Sequence, residues 1–331
     1  MRECRLLLIL TGGTIGTAVS ETGKRTLLQV GDGQEPLILQ RLREERPDLS
    51  IRAELRMPYQ VLSEHMTPEH WEKLLDCLRT EDLQAYDVVA ITHGSDTLAY
   101  TAAFLDEALR GCPVPVFLVA SQRPPEDPES NAVENLKATV ETAMKPATES
   151  GAVYITYRNS DGVMYLHRGR ELRQCEPGTD DFFSEGMRAL ETAAIPQNAE
   201  ANLQYDTKES DAISGYGTKE ATEMNWQVPE FRLKPDVLKL HPYVGIRYDC
   251  ISLEGIRAVL HTLYHSSTAP KELTAFAVRC REKGVPLYIL PCDAENYNYE
   301  TTRELLDAGA RPVQGLTEET AYIRLLLGAE I

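Results

Sequence analysis

The chain lacks any apolar stretch long enough to cross a bilayer. Its longest run near the start is Leu6–Leu10, and nothing elsewhere approaches ~18 uninterrupted apolar residues. A secretory leader and a membrane span are therefore not expected, and a soluble cytoplasmic protein is. It also lacks a CxxC pair. Seven cysteines (Cys4, Cys77, Cys112, Cys175, Cys250, Cys280, Cys292) are odd in number and scattered. That pattern predicts free thiols in a reducing compartment, neither a disulfide framework nor a zinc site. Basic residues are scarce: 34 stand against 51 acidic ones, a net charge of −17. Nucleic acid or an anionic membrane would demand a basic face, so neither is expected as a partner. His65 and His70 do not form HExxH, no Gly-Lys-Ser/Thr loop follows a glycine run, and GxGxxG is not met. No metal and no cofactor are expected.

What is present is an ordinary globular balance, with 42% hydrophobic and 26% charged residues over 331 positions. That length suggests roughly two domains of ~150 residues. Near-continuous apolar runs at Leu6–Leu10, Val88–Thr92, Val114–Ala120 and Ala152–Tyr157, with an alternating run at Ile51–Met57 before Pro58, read as strands of a parallel sheet covered on both faces. Helical stripes separate them. Thr67 reads as an N-cap before Pro68, with Trp71, Leu74, Leu75 and Leu78 on one face. Leu98 to Leu109 and Asn131 to Met144 follow the same period. From Glu176 to Met224 the pattern breaks, with eleven acidic against three basic residues, so −8 of the −17 lies there. A hairpin is expected near Ser214–Thr218. Strands resume at Val237–Leu240, Ala258–Leu263 and Val285–Leu290, with helices at Pro270–Lys283 and after the N-cap Thr317. The fold class expected is α/β. A larger, doubly wound, mostly parallel N-terminal domain spans 1–190, an acidic linker 191–234, and a smaller α/β domain 235–331.

Two strand-to-helix loops carry the candidate chemistry, and ligands of open α/β sheets bind at the carboxyl ends of strands. The first is Thr11-Gly12-Gly13-Thr14-Ile15-Gly16-Thr17. Adjacent glycines let the chain turn and expose N–H groups, and Thr11 and Thr14 flank them with hydroxyls. A hydroxyl beside backbone donors has the parts of a nucleophile with an oxyanion hole, although a purely structural turn fits as well. The second is Thr92-His93-Gly94-Ser95-Asp96-Thr97. Ser95 and Asp96 could serve catalysis or simply cap the next helix. His93 is a general base by type or a hydrogen-bonded structural group.

These residues resemble a known family. Thr11-Gly12-Gly13-Thr14-Ile15-Gly16 and His93-Gly94-Ser95-Asp96-Thr97-Leu98-Ala99-Tyr100-Thr101-Ala102 are similar to the two signatures of bacterial-type L-asparaginases. Ser63-Glu64-His65-Met66-Thr67-Pro68, Ser121-Gln122-Arg123-Pro124 and Asn135-Leu136 match further segments. So do Tyr264-His265-Ser266-Ser267-Thr268-Ala269 and the closing Leu316-Thr317-Glu318-Glu319-Thr320. The direct start favours the cytoplasmic type I branch. The resemblance implies hydrolysis of the side-chain amide of asparagine, or of a related small amide, through an acyl-enzyme on Thr14. It implies Ser95 in the proton relay and Asp96 on the substrate ammonium. Ser63 would bind the α-carboxylate, with Gly13, Glu64, Gly94 and Ser121 lining the substrate site. It also implies a homodimer or a dimer of dimers.

Three departures set this chain apart. Ser95 stands where the family has threonine. Gln174, in Tyr165-Leu166-His167-Arg168-Gly169-Arg170-Glu171-Leu172-Arg173-Gln174, stands where the family has its catalytic lysine. No tyrosine occurs between Ser20 and Gly33, the loop expected to close over the site. A neutral amide neither accepts nor donates a proton at pH 7. Adjacent Arg173 would face the other way in an extended segment. A divergent protein that binds an amino acid or dicarboxylate with little turnover is the alternative. The related subunit of the archaeal-type glutamyl-tRNA amidotransferase is disfavoured, because its extra N-terminal domain finds no room here and the acidic balance opposes tRNA.

Overall fold

The structure, a computed structural model, describes all residues except 1–2, 14, 16, 20–24, 28–34, 146–150, 191–225 and 293–298. It divides into two compact units, Met1–Arg232 and Leu233–Ile331. The first unit opens with β1 (Cys4–Ile9), whose residues Leu6, Leu7, Leu8 and Ile9 are wholly buried. That run lacks alternation because both faces of the strand are covered. A small antiparallel pair follows, β2 (Thr17–Val19) with β3 (Arg25–Leu27). Next come α1 (Leu37–Glu45), β4 (Ile51–Arg56), α2 (Pro68–Arg79), β5 (Val88–Thr92), α3 (Leu98–Ala108), β6 (Val116–Val119), α4 (Ala132–Ala143) and β7 (Val153–Arg158). The chain then turns back through β8 (Met164–Arg168), β9 (Leu172–Arg173), β10 (Phe183–Ser184) and β11 (Arg188–Ala189).

The main sheet has the order β11-β8-β7-β6-β5-β1-β4. Strands β4, β1, β5, β6 and β7 run parallel, while β8 and β11 are antiparallel. One face packs Leu6, Leu8, Phe117 and Val119 against Leu39 and Leu42 of α1 and Leu136 and Val140 of α4. Helices α2 and α3 meet through Trp71 stacked on Phe104, centroids 5.0 Å apart. The strand order reverses direction between β1 and β5. Chain segments leaving their carboxyl ends diverge to opposite sides there, which opens a crevice.

Strands β6 and β7 pair only as far as Leu118 and Ile155. Beyond that point two buried asparagines of the α4 entrance take over. Asn135 donates to Ala120 O (2.9 Å) and accepts from Arg158 N (2.9 Å). Asn131 donates to Arg158 O (2.9 Å) and accepts from Gln122 N (3.0 Å). Each side-chain amide mimics a peptide group, so the ladder continues without a backbone neighbour.

Residues 226–232 fell in the expected linker but pack on the first unit. Trp226 Nε1 donates to Arg110 O (3.0 Å), Arg79 Nη2 to Pro229 O (2.9 Å), and the Phe231 ring meets Phe104 edge-on. The expected hairpin at Ser214–Thr218 lies outside the described residues.

The second unit is a four-stranded parallel sheet in sequential order: β12 (Val237–Leu240), β13 (Ala258–Thr262), β14 (Leu287–Leu290) and β15 (Arg311–Pro312). Helices α5 (Glu272–Glu282), α6 (Glu300–Asp307) and α7 (Glu318–Leu326) accompany it. Thr317 caps α7 as its sequence predicts, accepting from Thr320 N. Gly284, at φ 69°, closes α5 with Val285 N on Cys280 O (2.9 Å). No helix of the described residues is long and apolar enough to cross a membrane. None of the seven cysteines is in a disulfide.

Candidate active site

Both glycine-bearing loops leave the sheet at the point where its order reverses. Behind β1, Gly12 forms a parallel bridge with Val61, reinforced by Val61 N on Thr11 O (3.0 Å) and Gly13 N on Val61 O (3.1 Å). Gly13 N–H is therefore occupied and is not an open anion donor. Thr11 is committed as well. Its N–H donates to Thr92 Oγ1 (3.2 Å), and its hydroxyl donates to Thr92 O. Of the two hydroxyls flanking the glycine pair, Thr11 is a clamp between β1 and β5. Thr14 lies outside the described residues, as does most of the Ser20–Gly33 loop.

The glycines are required by space. Gly13 sits at φ +79°, and a Cβ there would stand 2.3 Å from Gly94 N. A Cβ on Gly94 would stand 2.4 Å from Ser63 Oγ. Gly13 and Gly94 thus touch through bare backbone and the Ser63 side chain lies against Gly94, which draws together the exits of β1, β4 and β5. Ser63 begins a short 3-10 turn, Ser63–His65. Its buried hydroxyl accepts from Asp96 N (3.2 Å) and donates to Asp96 Oδ2 (3.3 Å), while its carbonyl accepts from Thr97 Oγ1 (2.9 Å). Asp96 is exposed and Ser95 half-buried on the turn Ser95–Thr97. The N-cap of α3 is Thr97, which makes no side-chain cap bond; the Asp96 carboxylate and the Thr97 hydroxyl bond to Ser63 instead.

The helix end is served from a distance. Gln174 Oε1 accepts from Ala99 N (3.2 Å), and Gln174 Nε2 donates to Ser95 O (2.7 Å). Cys175 Sγ lies 3.4 Å from the same nitrogen. Burial raises the Cys175 thiol above its ordinary value, and Asp96 adds to the shift. Arg173 is exposed, as alternation predicts.

His93 is no base. It is buried, and burial pushes it down to about 4. Its Nδ1 lies 2.7 Å from Gly94 O, a pure acceptor, so Nδ1 carries the proton. Nε2 then accepts from Thr101 Oγ1 (2.9 Å), which accepts from Trp71 Nε1 (2.9 Å). Both ring nitrogens are used in holding the loop. Burial depresses His167 and His261 to about 4 in the same way, against an ordinary value of 6.5. Between those values the unfolded chain binds more protons than the native one. Stability is therefore full above 6.5 and is lost as pH falls toward 4. His93 and His167 share the first unit. Denaturation at pH 7, 6 and 5 is expected to show that unit weakening by up to ~3 kcal/mol per pH unit, with nearly two protons taken up on unfolding. A flat profile would refute the buried neutral assignment.

Glu64 is exposed. Ser121 is buried at the exit of β6, and its hydroxyl has no hydrogen-bond partner among the described residues. Tyr59, which sequence reasoning passed over, also belongs to this rim. Its hydroxyl is buried near Thr11 without a well-formed hydrogen bond, and burial raises its pKa, so it stays a phenol. A tyrosine after Pro58 carries no motif that could have marked it. Among the described residues no group of three His, Cys, Asp or Glu side chains could hold a metal.

Residues 5–208 match the family described as Asparaginase, N-terminal. The chain belongs to the asparaginase family. Membership places it among enzymes acting on linear amides. Similar curated relatives are glutamyl-tRNA(Gln) amidotransferase subunits D. That of Thermococcus kodakarensis is 27% identical over 95% of this chain and 69% of its own length. That of Aeropyrum pernix is 28% identical over 98% and 74%. Two solved structures share the asparaginase fold. The thermostable L-asparaginase of Thermococcus kodakarensis has a TM-score of 0.70 at 21% identity, covering 98% of this chain and 92% of that one. L-asparaginase I of Vibrio cholerae O1 biovar eltor has 0.70 at 23%, with the same coverage.

Proposed function

We propose that the chain is a cytoplasmic amidohydrolase that releases ammonia from asparagine or a related small amino-acid amide, through a Thr14 acyl-enzyme. The observation that carries this is the meeting of Gly13, Ser63 and Gly94–Asp96 at the crevice of the sheet. Asp96 is exposed there and suits a substrate ammonium, since a carboxylate is the group that pairs with one. Ser63 must loosen its hydroxyl from Asp96 to receive a carboxylate, an exchange of one hydrogen bond for another. Ser95 is the hydroxyl available to the relay, Glu64 and Ser121 line the pocket, and the functional form is a homodimer or a dimer of dimers. Seven cysteines, none in a disulfide, support a reducing compartment.

Ammonia release should be measured over a panel of small amides that includes asparagine and glutamine. Turnover lost in Thr14→Val by at least ~1000-fold is expected of a nucleophile. Tight aspartate binding without ammonia from any amide would replace this reading with a binding protein, which the neutral Gln174 favours. A second reading comes from the curated relatives, whose names make them amidotransferase subunits. It predicts that glutamine outperforms asparagine and that turnover rises on adding an acceptor complex.

A further inference from the structure

Gln174 occupies the position of an expected ammonium, and its geometry gives it a different task. Ser95 O can only accept and Ala99 N can only donate. One planar group that donates at one end and accepts at the other satisfies both, at 2.7 and 3.2 Å. The two partners also fix which end of the amide is which. A lysine has no acceptor for Ala99 N, and a carboxylate has no donor for Ser95 O. Ala99 belongs to the first turn of α3, where N–H groups lack intrahelical partners and the N-cap Thr97 provides no side-chain acceptor. The approach is built in further back. Gly169 crosses α3 so closely that a Cβ would stand 2.9 Å from Ala102 O. Leu172 is then fully buried, and Gln174 arrives beside the helix entrance.

We infer that Gln174 is a positioning residue, a cap supplied from a remote segment of the chain that locks the Ser95–Asp96 turn and sets the ligand affinity of the site. Ser63 holds the turn through Asp96 and Thr97, and Gln174 holds it through Ser95 and Ala99. Asp96 is thereby presented without any protonatable group at position 174. The ligand part of this inference rests on the proposed amino-acid site, and its structural part does not.

The test compares Gln174→Met, Gln174→Lys and Gln174→Glu with the unsubstituted chain, by aspartate calorimetry and by thermal melting across pH. Gln174→Met is expected to weaken aspartate about tenfold and to lower the melting temperature. Gln174→Lys should be no better than Gln174→Met in affinity or turnover. Gln174→Glu carries the sharpest readout. As a carboxylate it opposes Ser95 O, and once protonated it presents one donor and one acceptor like the amide. Its affinity and stability should be poor at pH 8 and return toward those of the parent near pH 5. The neighbouring ionisable side chains Asp96, Tyr100, Arg173 and Cys175 are common to both proteins, so the parent profile subtracts their contribution. A Gln174→Met protein that equals the parent in both measurements would overturn the inference, as would higher turnover in Gln174→Lys. If the parent does not bind aspartate, the proposed substrate class fails. The pH-dependent melting of Gln174→Glu still decides the role of the cap.

Discussion

Alanine at position 13 is expected to abolish ligand binding and amide turnover together. The added methyl would stand 2.3 Å from Gly94 N, 2.5 Å from Gly94 Cα and 2.6 Å from His93 C. All three are backbone atoms of a loop already tied to Ser63, Val119 and Gly13's own neighbours, so no flexible side chain can give way. The left-handed conformation adds roughly 1–2 kcal/mol for any residue with a Cβ. Gly162 provides the control. It has the same φ, +79°, with nothing within 4 Å of a Cβ. Gly162→Ala should lose only about 1 kcal/mol and keep full aspartate affinity. Gly13→Ala should lose at least ~100-fold in affinity, because the clash can be relieved only by parting the loops after β1 and β5. Equal affinity in the two variants would show that the contact does not shape the pocket.

Asn135→Leu should be the most damaging substitution away from the site. The leucine is close in size but leaves Ala120 O and Arg158 N buried without partners. Each such group costs about 1–3 kcal/mol, so a loss of roughly 2–6 kcal/mol is expected in urea denaturation of the first unit. Asn135→Asp separates the two bonds. It keeps an acceptor for Arg158 N and sets a carboxylate against Ala120 O, so it should be milder in acid, where the carboxyl can donate. If Asn135→Leu melts with the parent, water or backbone movement must replace the amide.

Much of the frame was legible in the sequence. Runs such as Leu6–Leu10 and Val88–Thr92 announce parallel strands because burial on both faces removes alternation. Thr67-Pro68 and Thr317 marked helix entrances because cap chemistry is local. Helix α1 went unread, since its N-cap is Pro36 and no side-chain cap precedes its buried Ile38, Leu39 and Leu42. Strand β15 is only two residues, Arg311–Pro312, and owes its pairing to β14. At the site, the glycines of both loops were readable as turns, whereas their mutual contact was not. Ser63 and Gln174 were singled out only through the family resemblance. What Thr11, His93, Asn131 and Asn135 do depends on partners far away in the chain, which local pattern cannot convey.

That distance has a consequence in time. The bond from Thr11 to Thr92 spans 81 residues, the one from Ser63 to Asp96 spans 33, and the clasp from Ala99 to Gln174 spans 75. Parallel pairing of such remote segments forms slowly, because long loops must close before any contact rewards them. A ribosome adding ~5–20 residues per second must synthesise and release Gln174 before the turn bearing Asp96 can be locked. A nascent chain therefore remains blind to its ligand through half of its synthesis. The ligand can stabilise the finished domain, but it cannot guide the early steps of folding.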